Sequence, residues 1–420
     1  MRPPPLTLQA RHLVPIAAPP IDGGWLRIER GHIVAMGKGR PPGPTVDLGD
    51  AIILPGLVNA HTHLEFSTVA HPLTADGGLP AWISRVVALR RQRTPDSAAA
   101  ETAVAVVRGR AESAAAGVTA IGEIATATSL DAYAAPGPRV RVFREALGLS
   151  PSAGAAAFAT AIRDIDRLQV RSIRAGVSPH APYSVASALG RRLLAAARAR
   201  GLPAAMHLAE SREEEALLAA GTGPFRDLLE SLGAWPAAAP PRLLSAADWI
   251  SHLARGPRGI VVHGTHLDRD PIALARLARH RDRLAVAICP RTTRAISGSL
   301  PPLALFREAG LRVAIGTDSR ASNPDLSVLA ECRTLVDAGL TSPAAALTLA
   351  TLHGAWALML DQQCGSLTIG RPADLAILHP ATPHADPFAA ALAPDTRLVA
   401  TLCSGRVIAG GLPGIATGSR

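Results

Sequence analysis

Short apolar runs alternate with longer alanine- and leucine-rich segments along most of the chain. The first run, residues 51–58, leads into the polar stretch NAHTHLEF at 59–66. Seven more runs end in polar residues: GVTAIGEI (117–124), RVRVFREALG (139–148), IRAGVSPHAPYS (173–184), LPAAMHLAES (202–211), GIVVHGTHLD (259–268), RLAVAICPRTT (283–293) and LRVAIGTDS (311–319). The segments between them have helical spacing, and one has an S-x-x-E capping box at Ser211 and Glu214 with a stop at Gly221. This alternation predicts an α/β chain with a parallel sheet, and eight such units suggest a (β/α)8 TIM-like barrel.

The two ends of the chain have a different pattern. Residues 1–54 and 365–420 both read as short alternating strands around glycine and proline turns, as in GWLRIERGHIVAMG and ADLAILHP. Neither stretch is long enough for a convincing core of its own. We therefore expect the two ends to pair into one small composite β-sandwich domain, with residues 55–364 forming the barrel.

Histidines concentrate where the predicted barrel strands end. His61 and His63 are one residue apart, so their side chains point the same way from a strand. A bare HxH is also compatible with a hydrogen-bonded structural pair. In a barrel of parallel strands, however, functional residues collect at the carboxyl ends of the strands. The other strand ends carry His180, His207 with Glu210, His263 and Asp318. This concentration at one rim favours chemistry over core packing.

Composition indicates the size of the core and the cellular compartment of the protein. Hydrophobic residues make up 48% of the chain and the mean hydropathy is +0.20, which is ample for a large core. The four cysteines are far apart and form no CxxC pair, so we expect a reducing compartment. Prolines interrupt residues 1–20, and no apolar stretch is long enough for a signal peptide core or a membrane span. We expect a cytoplasmic protein with no membrane partner.

The positive charge of the chain does not indicate nucleic-acid binding. The net charge is +10 with a pI near 10.8. Lys38 is the only lysine, the arginines are scattered, and aromatic residues are only 3% of the chain. A nucleic-acid surface is typically a basic patch, and one that binds single strands interleaves it with aromatic residues. We expect no nucleic-acid partner.

Four motifs together carry a family resemblance. LPGLVNAHTHLEF, HLAE, HGTHLD and GTDSRASNPDLSVLAE, in this order and spacing, resemble the amidohydrolase superfamily. The resemblance is to its mononuclear deaminase and chlorohydrolase branch, which includes cytosine deaminase, S-adenosylhomocysteine deaminase, aminofutalosine deaminase and the triazine hydrolases. It covers nearly the whole chain, since GSLTIGRPADLAIL (365–378) looks like the family's return into a small β-sandwich. The motifs are specific for the superfamily but only weakly specific for the substrate.

The resemblance implies a metal site. His61, His63 and His207 would supply nitrogens and Asp318 a carboxylate oxygen, a ligand set that suits Zn²⁺ or Fe²⁺ with a water at the open position. Binuclear relatives usually bridge two metals with a carboxylated lysine on a barrel strand, but Lys38 precedes the first motif. We therefore expect one divalent metal per chain, unless another residue such as Glu123 forms a bridge.

Further roles follow from the same resemblance. Glu210 would act as the general acid–base group, with an exposed acid at a helix start as the alternative. His263 would hydrogen-bond the incoming nucleophile, and the ligand Asp318 completes the catalytic set. His180 resembles a substrate-facing histidine, and Trp82 lies where relatives place substrate contacts, although helix packing explains Trp82 equally well.

Three arginines bear on the charge of the substrate. Arg144, Arg291 and Arg320 fall near predicted strand ends, and a guanidinium group is suited to binding a carboxylate or a phosphate. We therefore predict an anionic group on the substrate, with the general arginine excess as the alternative explanation. The chain also departs from the residues common in relatives at Thr292, Thr293 and Arg320. The substrate specificity of those relatives therefore cannot be transferred to this chain.

The function predicted from the sequence is hydrolysis of a carbon–nitrogen bond. The favoured form is a hydrolytic deaminase of a small amino-substituted heterocycle, purine- or nucleoside-like, that releases ammonia. A chlorohydrolase or a cyclic amidohydrolase with the same metal site is one alternative. A non-catalytic ligand-binding barrel is another, although the intact ligand set with Glu210 argues against it. The oligomeric state is open, with a homo-oligomer as one alternative.

Overall fold

Two eight-stranded sheets organise the chain in the computed structural model, which describes residues 5–236, 241, 243–382 and 384–413. One sheet is mixed and contains strands from both ends of the chain. The other is parallel and contains the middle of the chain. The outermost residues of the predicted β-domain, 1–4 and 414–420, lie outside the described residues.

The first five strands belong to the mixed sheet. They are β1 (Leu6–Leu13), β2 (Ile21–Glu29), β3 (His32–Lys38), β4 (Val46–Asp47) and β5 (Ile52–Pro55). Strands β1, β2 and β3 are antiparallel neighbours, and both β4 and β5 pair with β1 in parallel. In β2, buried residues such as Leu26 and Ile28 alternate with partly exposed ones, as the pattern at residues 21–29 predicts for a sheet with one buried face.

The eight predicted barrel strands are confirmed. They are β6 (Leu57–Thr62), β7 (Val118–Ala125), β8 (Arg139–Ala146), β9 (Arg174–Pro179), β10 (Ala204–Leu208), β11 (Gly259–His263), β12 (Leu284–Ile288) and β13 (Arg312–Ile315). Each strand pairs in parallel with the next along the chain. Backbone bonds between the end of β6 and the residues after β13 close the ring, since the amides of Thr317 and Asp318 donate to the carbonyl of His61.

Helices connect the barrel strands and surround them. They are α1 (Gly78–Arg91), α2 (Pro95–Ala115), α3 (Leu130–Ala134), α4 (Pro151–Val170), α5 (Ser187–Ala199), α6 (Arg212–Ala220), α7 (Pro224–Ser231), α8 (Ala246–Leu253), α9 (Pro271–Arg279), α10 (Pro290–Ser297), α11 (Leu303–Glu308), α12 (Val328–Asp337) and α13 (Pro343–Thr348). The predicted start of α6 is confirmed, because the Ser211 hydroxyl accepts a hydrogen bond from the Glu214 amide at 3.2 Å. Gly221 ends this helix with a φ of 68°. No helix in the described ranges is long and apolar enough to cross a membrane.

The chain then returns to the mixed sheet. The last elements are α14 (Gly354–Ala357), β14 (Leu375–His379), α15 (Pro387–Leu392), β15 (Arg397–Cys403) and β16 (Arg406–Gly410). Strand β14 is antiparallel to β5, with Ile52 opposite Leu378. The expectation that both ends build one β structure is confirmed, and one mixed sheet contains all of these strands. The division of the chain at 54/55 and 364/365 stays a prediction.

Strand β8 shows how the barrel is filled. Phe143 packs inside the barrel with small residues such as Ala205 and Ala287. At the start of the strand, Arg141 donates to the carbonyl of Leu358 and lies beneath this inner layer. At the carboxyl end, Glu145 reaches a cavity. Because apolar side chains fill the middle of the barrel, polar groups at the strand ends lie together above a dry core.

Candidate metal and active site

Four side chains converge at the carboxyl ends of strands β6 and β10 and after β13. Nitrogens of His61, His63 and His207 all lie within 4.8 Å of one another. The Nε2 atoms of His63 and His207 are 3.4 Å apart. Asp318 Oδ1 is 3.6 Å from Nε2 of His61 and 3.6 Å from Nε2 of His63. The four residues predicted as ligands are therefore brought together.

Ring nitrogens of His207 and His61 are available to bind a metal. His207 Nδ1 donates to the carbonyl of His180 at 2.9 Å, which leaves Nε2 of His207 unprotonated when the ring is neutral. Both ring nitrogens of His61 are buried without a hydrogen-bond partner among the described residues. Unpartnered buried polar atoms are uncommon in proteins, and an ion is one of the few partners that can satisfy them.

Burial keeps the three imidazoles neutral. It lowers the pKa of His61 to about 3. Burial, followed by the neighbouring His61, lowers the pKa of His63 and that of His207 well below the usual value. The neutral form is the one that binds a metal.

The distances fit one cation. Ligand atoms that bind the same cation at about 2.0–2.2 Å lie no more than about 4.4 Å apart. The observed separations of 3.4 and 3.6 Å are within this limit. The Ser322 hydroxyl donates to Asp318 Oδ2 at 2.6 Å and orients the carboxylate. These residues thus fit a single divalent cation held by three nitrogens and one oxygen.

Strained backbone holds several groups of the site. Ala209, His263 and Asp318 have φ values of 52°, 66° and 55°, in the left-handed region that residues with a side chain rarely adopt. Each such residue costs about 1–3 kcal/mol, and this strain concentrates at functional sites. Gly316 permits a further close approach, since a Cβ there would lie 2.7 Å from the carbonyl oxygen of His61.

Glu210 and His263 face each other beside the three histidines. Glu210 Oε1 lies 3.4 Å from His263 Nε2. Burial and then the nearby Asp318 raise the pKa of Glu210 well above its usual value, while burial lowers the pKa of His263. The Glu214 carboxylate accepts from the amides of Ala209 and Glu210 at 2.9 and 3.3 Å. Glu210 is therefore a buried, oriented acid and not an exposed helix-start residue.

A cavity of about 410 Å³ opens above these groups. His63, His207, Glu210, His263 and Asp318 line one part of it. His180 also lines the cavity, and its Nδ1 lies 2.6 Å from the Ser184 hydroxyl. Trp82 on α1 lines it as well, with its indole N–H donating to the carbonyl of Ala321 at 3.3 Å. Both residues therefore lie where a substrate would contact them.

The three arginines considered for anion binding lie elsewhere. Arg144 pairs with Asp164 at 2.8 Å, Arg291 with Asp325 at 2.7 Å, and Arg320 with Glu112 at 2.9 Å. Within the described ranges, none of the three lines the cavity. Each guanidinium group thus joins neighbouring elements, and a role in substrate binding stays a prediction without support from this geometry.

Glu123, the alternative bridging residue, is also engaged elsewhere. Its carboxylate accepts from the Leu64 amide at 2.8 Å and from the Tyr133 hydroxyl at 3.4 Å. It belongs to neither group of potential metal ligands found among the described residues. It therefore braces the turn after His63.

Sequence reasoning missed Glu145 and Arg90, which both line the cavity. Burial raises the pKa of Glu145 to about 8, although Arg90 opposes the shift. Glu145 is adjacent to Arg144, and neighbouring residues in a strand point to opposite faces. Phe143 could have indicated which of the two points inward, because it shares a face with Glu145 and packs inside the barrel.

Comparison with known proteins gives a family match over most of the chain. The model of the amidohydrolase family matches residues 52–408. The 5-methylthioadenosine/S-adenosylhomocysteine deaminase of Moorella thermoacetica is 29% identical over 396 residues, covering 89% of this chain and 86% of that relative.

Solved structures share the fold. A crystal structure of Helicobacter pylori aminofutalosine deaminase in complex with methylthio-coformycin has a TM-score of 0.80 at 22% identity, covering 96% of this chain and 99% of that one. An adenosine deaminase from Xanthomonas campestris with bound zinc has a TM-score of 0.74 at 23% identity, covering 96% and 92%.

Proposed function

Since the chain belongs to the amidohydrolase family, we propose that it is a metal-dependent hydrolytic deaminase of an amino-substituted, purine-like heterocycle. Deaminases acting on methylthioadenosine or S-adenosylhomocysteine are among its relatives at 26–29% identity. The proposal extends to one Zn²⁺ or Fe²⁺ per chain, held by His61, His63, His207 and Asp318.

The observation that carries the proposal is the convergence of these ligands beside a buried acid. Three neutral imidazoles and a carboxylate meet at 3.4–3.6 Å, and Glu210 lies in the same cavity. A barrel that only bound ligands would need neither unpartnered imidazole nitrogens nor strain at His263 and Asp318.

The residues would divide the chemistry as follows. When bound, a divalent cation lowers the pKa of a coordinated water, so that the water is a nucleophile near neutral pH. Glu210 accepts a proton from the attacking water and delivers it to a ring nitrogen, for which its raised pKa suits it. His263 hydrogen-bonds the oxygen as it approaches the amino-bearing carbon. The second proton of the water passes from the added oxygen to the amino group. The new carbon–oxygen bond then replaces the carbon–nitrogen bond, and the amino group leaves as ammonia.

Cavity size and lining support a heterocycle with an apolar substituent. About 410 Å³ is within the range of pockets that bind small ligands. Beyond the polar end, the lining includes Phe66, Trp82, Leu149 and Phe225. Flat aromatic ligands pack well against such side chains.

The direct test is a screen for ammonia release by purified protein loaded with Zn²⁺ or Fe²⁺. The panel includes purine and pyrimidine bases, nucleosides and 5′-thio-substituted nucleosides, with chelated protein as the control. We expect ammonia from at least one aminopurine compound and none from chelated protein. Parallel assays for chloride release and for cyclic amide opening test the alternative leaving groups. Activity in only one of those assays would overturn the deaminase proposal.

A further inference from the structure

His180 presents one ring nitrogen to the cavity while the rest of the residue is held in place. Its backbone amide donates to the carbonyl of Ala146 at 3.1 Å, and its carbonyl accepts from the amide and from Nδ1 of His207, each at 2.9 Å. Its ring lies edge-on to Tyr183, with the ring centroids 5.5 Å apart. Nε2 of His180 has no hydrogen-bond partner among the described residues and is not fully buried. Since the residue lines the cavity, Nε2 is available to a ligand.

The other ring nitrogen of His180 contacts Ser184. The Ser184 hydroxyl lies 2.6 Å from Nδ1 of His180 and 3.3 Å from the carbonyl oxygen of Ala181. A hydroxyl has one hydrogen to donate, so it can serve only one of these two acceptors. If that hydrogen went to Ala181, Nδ1 of His180 would have to donate to the Ser184 oxygen. The two arrangements place the hydrogen of the imidazole on opposite nitrogens.

The distances favour donation from the hydroxyl to the imidazole. Hydrogen bonds that N–H groups donate to oxygen span about 2.7–3.2 Å, whereas a hydroxyl donor permits lengths down to about 2.5 Å. At 2.6 Å, the contact between Ser184 and His180 is too short for an N–H donor but suits an O–H donor. Because an imidazolium has hydrogens on both nitrogens, an accepting Nδ1 also means that the ring is neutral. The hydrogen of His180 is therefore on Nε2, which faces the cavity as a donor.

The place of His180 beside the proposed metal site indicates what this donor meets. The ring centroids of His180 and of the ligand His207 are 5.0 Å apart. A purine-like ring whose amino-bearing carbon lies at the ligands therefore extends towards His180. The nitrogens of such a ring have in-plane lone pairs that accept hydrogen bonds. With the hydrogen on Nδ1 instead, two lone pairs would face each other and the ring nitrogen would stay unpaired, which costs free energy in a desolvated site.

We propose that Ser184 is a positioning residue that fixes His180 in the Nε2–H tautomer, so that His180 donates to a ring nitrogen of the substrate. The proposal rests on the proposed function and goes beyond it, because it assigns a role to a hydroxyl that acts through His180. Without that hydroxyl, both tautomers of the neutral ring are populated.

The first test measures the tautomer without turnover. Protein labelled with 15N at histidine and loaded with Zn²⁺ is examined by long-range 1H–15N NMR, in which protonated and unprotonated ring nitrogens have distinct shifts. His180→Gln identifies the signals of His180 by their loss. We expect an unprotonated Nδ1 and a protonated Nε2 in the wild type, and a mixture in Ser184→Ala. A hydrogen on Nδ1 in the wild type would overturn the inference, whatever the activity.

The second test compares matched variants on matched substrates. Ser184→Ala removes the hydroxyl, and Ser184→Thr keeps it. Ser178→Ala is the control, because it removes another buried hydroxyl, two residues before His180, that has no hydrogen-bond partner in the described ranges. The substrates are the best aminopurine compound from the ammonia screen and its 3-deaza and 7-deaza analogues, each of which has a carbon in place of one ring nitrogen.

In the wild type, we expect kcat/KM to fall roughly 3- to 10-fold on the analogue that lacks the bound nitrogen, as is typical for one neutral hydrogen bond. Ser184→Ala should lose a similar factor on the parent substrate but little on that analogue, so the preference for the parent substrate collapses. Ser184→Thr should restore the preference, and Ser178→Ala should retain it.

Equal losses on the parent substrate and on both analogues in Ser184→Ala would indicate a structural role and overturn the inference. An unchanged preference in Ser184→Ala would overturn it too. If Ser184→Ala does not fold, the tautomer of the wild type and the preference of Ser184→Thr decide. The absence of ammonia from every compound would refute the proposed function, while the NMR measurement would still decide whether Ser184 donates to His180.

Discussion

Replacing Glu210 with glutamine tests the acid–base assignment most directly. The amide has the size of the carboxyl group and can still hydrogen-bond His263, whose Nε2 lies 3.4 Å from Glu210 Oε1. It cannot accept and deliver a proton. A general acid–base group typically contributes about 10²- to 10⁴-fold to the rate, equivalent to about 3–5 kcal/mol in the barrier. We expect kcat to fall by that factor.

The folded state of this variant should be intact. Burial and Asp318 raise the pKa of Glu210, which means that the surrounding structure disfavours the ionised form. A neutral amide avoids that penalty, so we expect the melting temperature to stay the same or to rise. Metal content should also be unchanged, because the proposed ligands are His61, His63, His207 and Asp318, and the substitution leaves all four in place.

The assay combines ammonia release, elemental analysis and thermal unfolding on the same preparations. Glu215→Gln is the matched control, since it makes the same change on the exposed side of α6, where Glu215 pairs with Arg269 at the surface. We expect that control to keep the activity of the wild type. Near-native turnover by Glu210→Gln would refute the proposed role. Loss of metal together with activity would show instead that Glu210 is needed for metal binding.

Three further outcomes are expected. Elemental analysis should find about one Zn or Fe per chain, and metal at about 100 times its Kd should raise stability by about 2.7 kcal/mol; zero or two tight ions would contradict this. Burial raises the pKa of Glu331 to about 7 from 4.5, so between these pH values the folded chain keeps a proton that the unfolded chain has lost. Stability should fall by roughly 3 kcal/mol as pH rises through this window, and Glu331→Gln should remove that slope in urea unfolding at pH 5 and 8; identical slopes would refute the assignment. Because Arg320 binds Glu112 and the carbonyls of Val69 and Ala70, Arg320→Met should leave the preference between charged and neutral substrates unchanged in kcat/KM; a selective loss for charged substrates would restore the anion-binding hypothesis.

The order of strands and the convergence of the histidines were predictable from sequence because each depends on a local signal. An apolar run followed by polar residues marks a strand end, and the barrel topology brings such ends to one rim. That is why His61 and His207, far apart in the chain, could be expected to meet. The start of α6 was predictable for the same reason, since its capping residues Ser211 and Glu214 lie within one turn of each other.

The lining of the cavity was not predictable in the same way. Barrel strands are apolar on both faces, so alternation shows that Arg144 and Glu145 point apart but not which of them points inward. Arg90 presented a different difficulty, because a helix with scattered arginines does not reveal which one pairs with a buried acid such as Glu65. Three arginines near predicted strand ends suggested an anion site, whereas ion pairs with Asp164, Asp325 and Glu112 balance their charges.

The mixed sheet constrains the order in which strands can pair while the chain is synthesised. Strand β5 lies between β1 and β14, so the first strands to be synthesised gain their last neighbours only when the chain is nearly complete. Strand pairs so distant in sequence form slowly. Until β14 pairs with β5, the edge of β5 is unpaired, and apolar residues such as Leu13 and Ile53 lack the cover that Leu375 and Leu402 later provide. An unpaired strand edge of this kind invites association between nascent chains. A truncation that removes β14, β15 and β16 would make that exposure permanent, which ties the solubility of the chain to strands remote from the cavity.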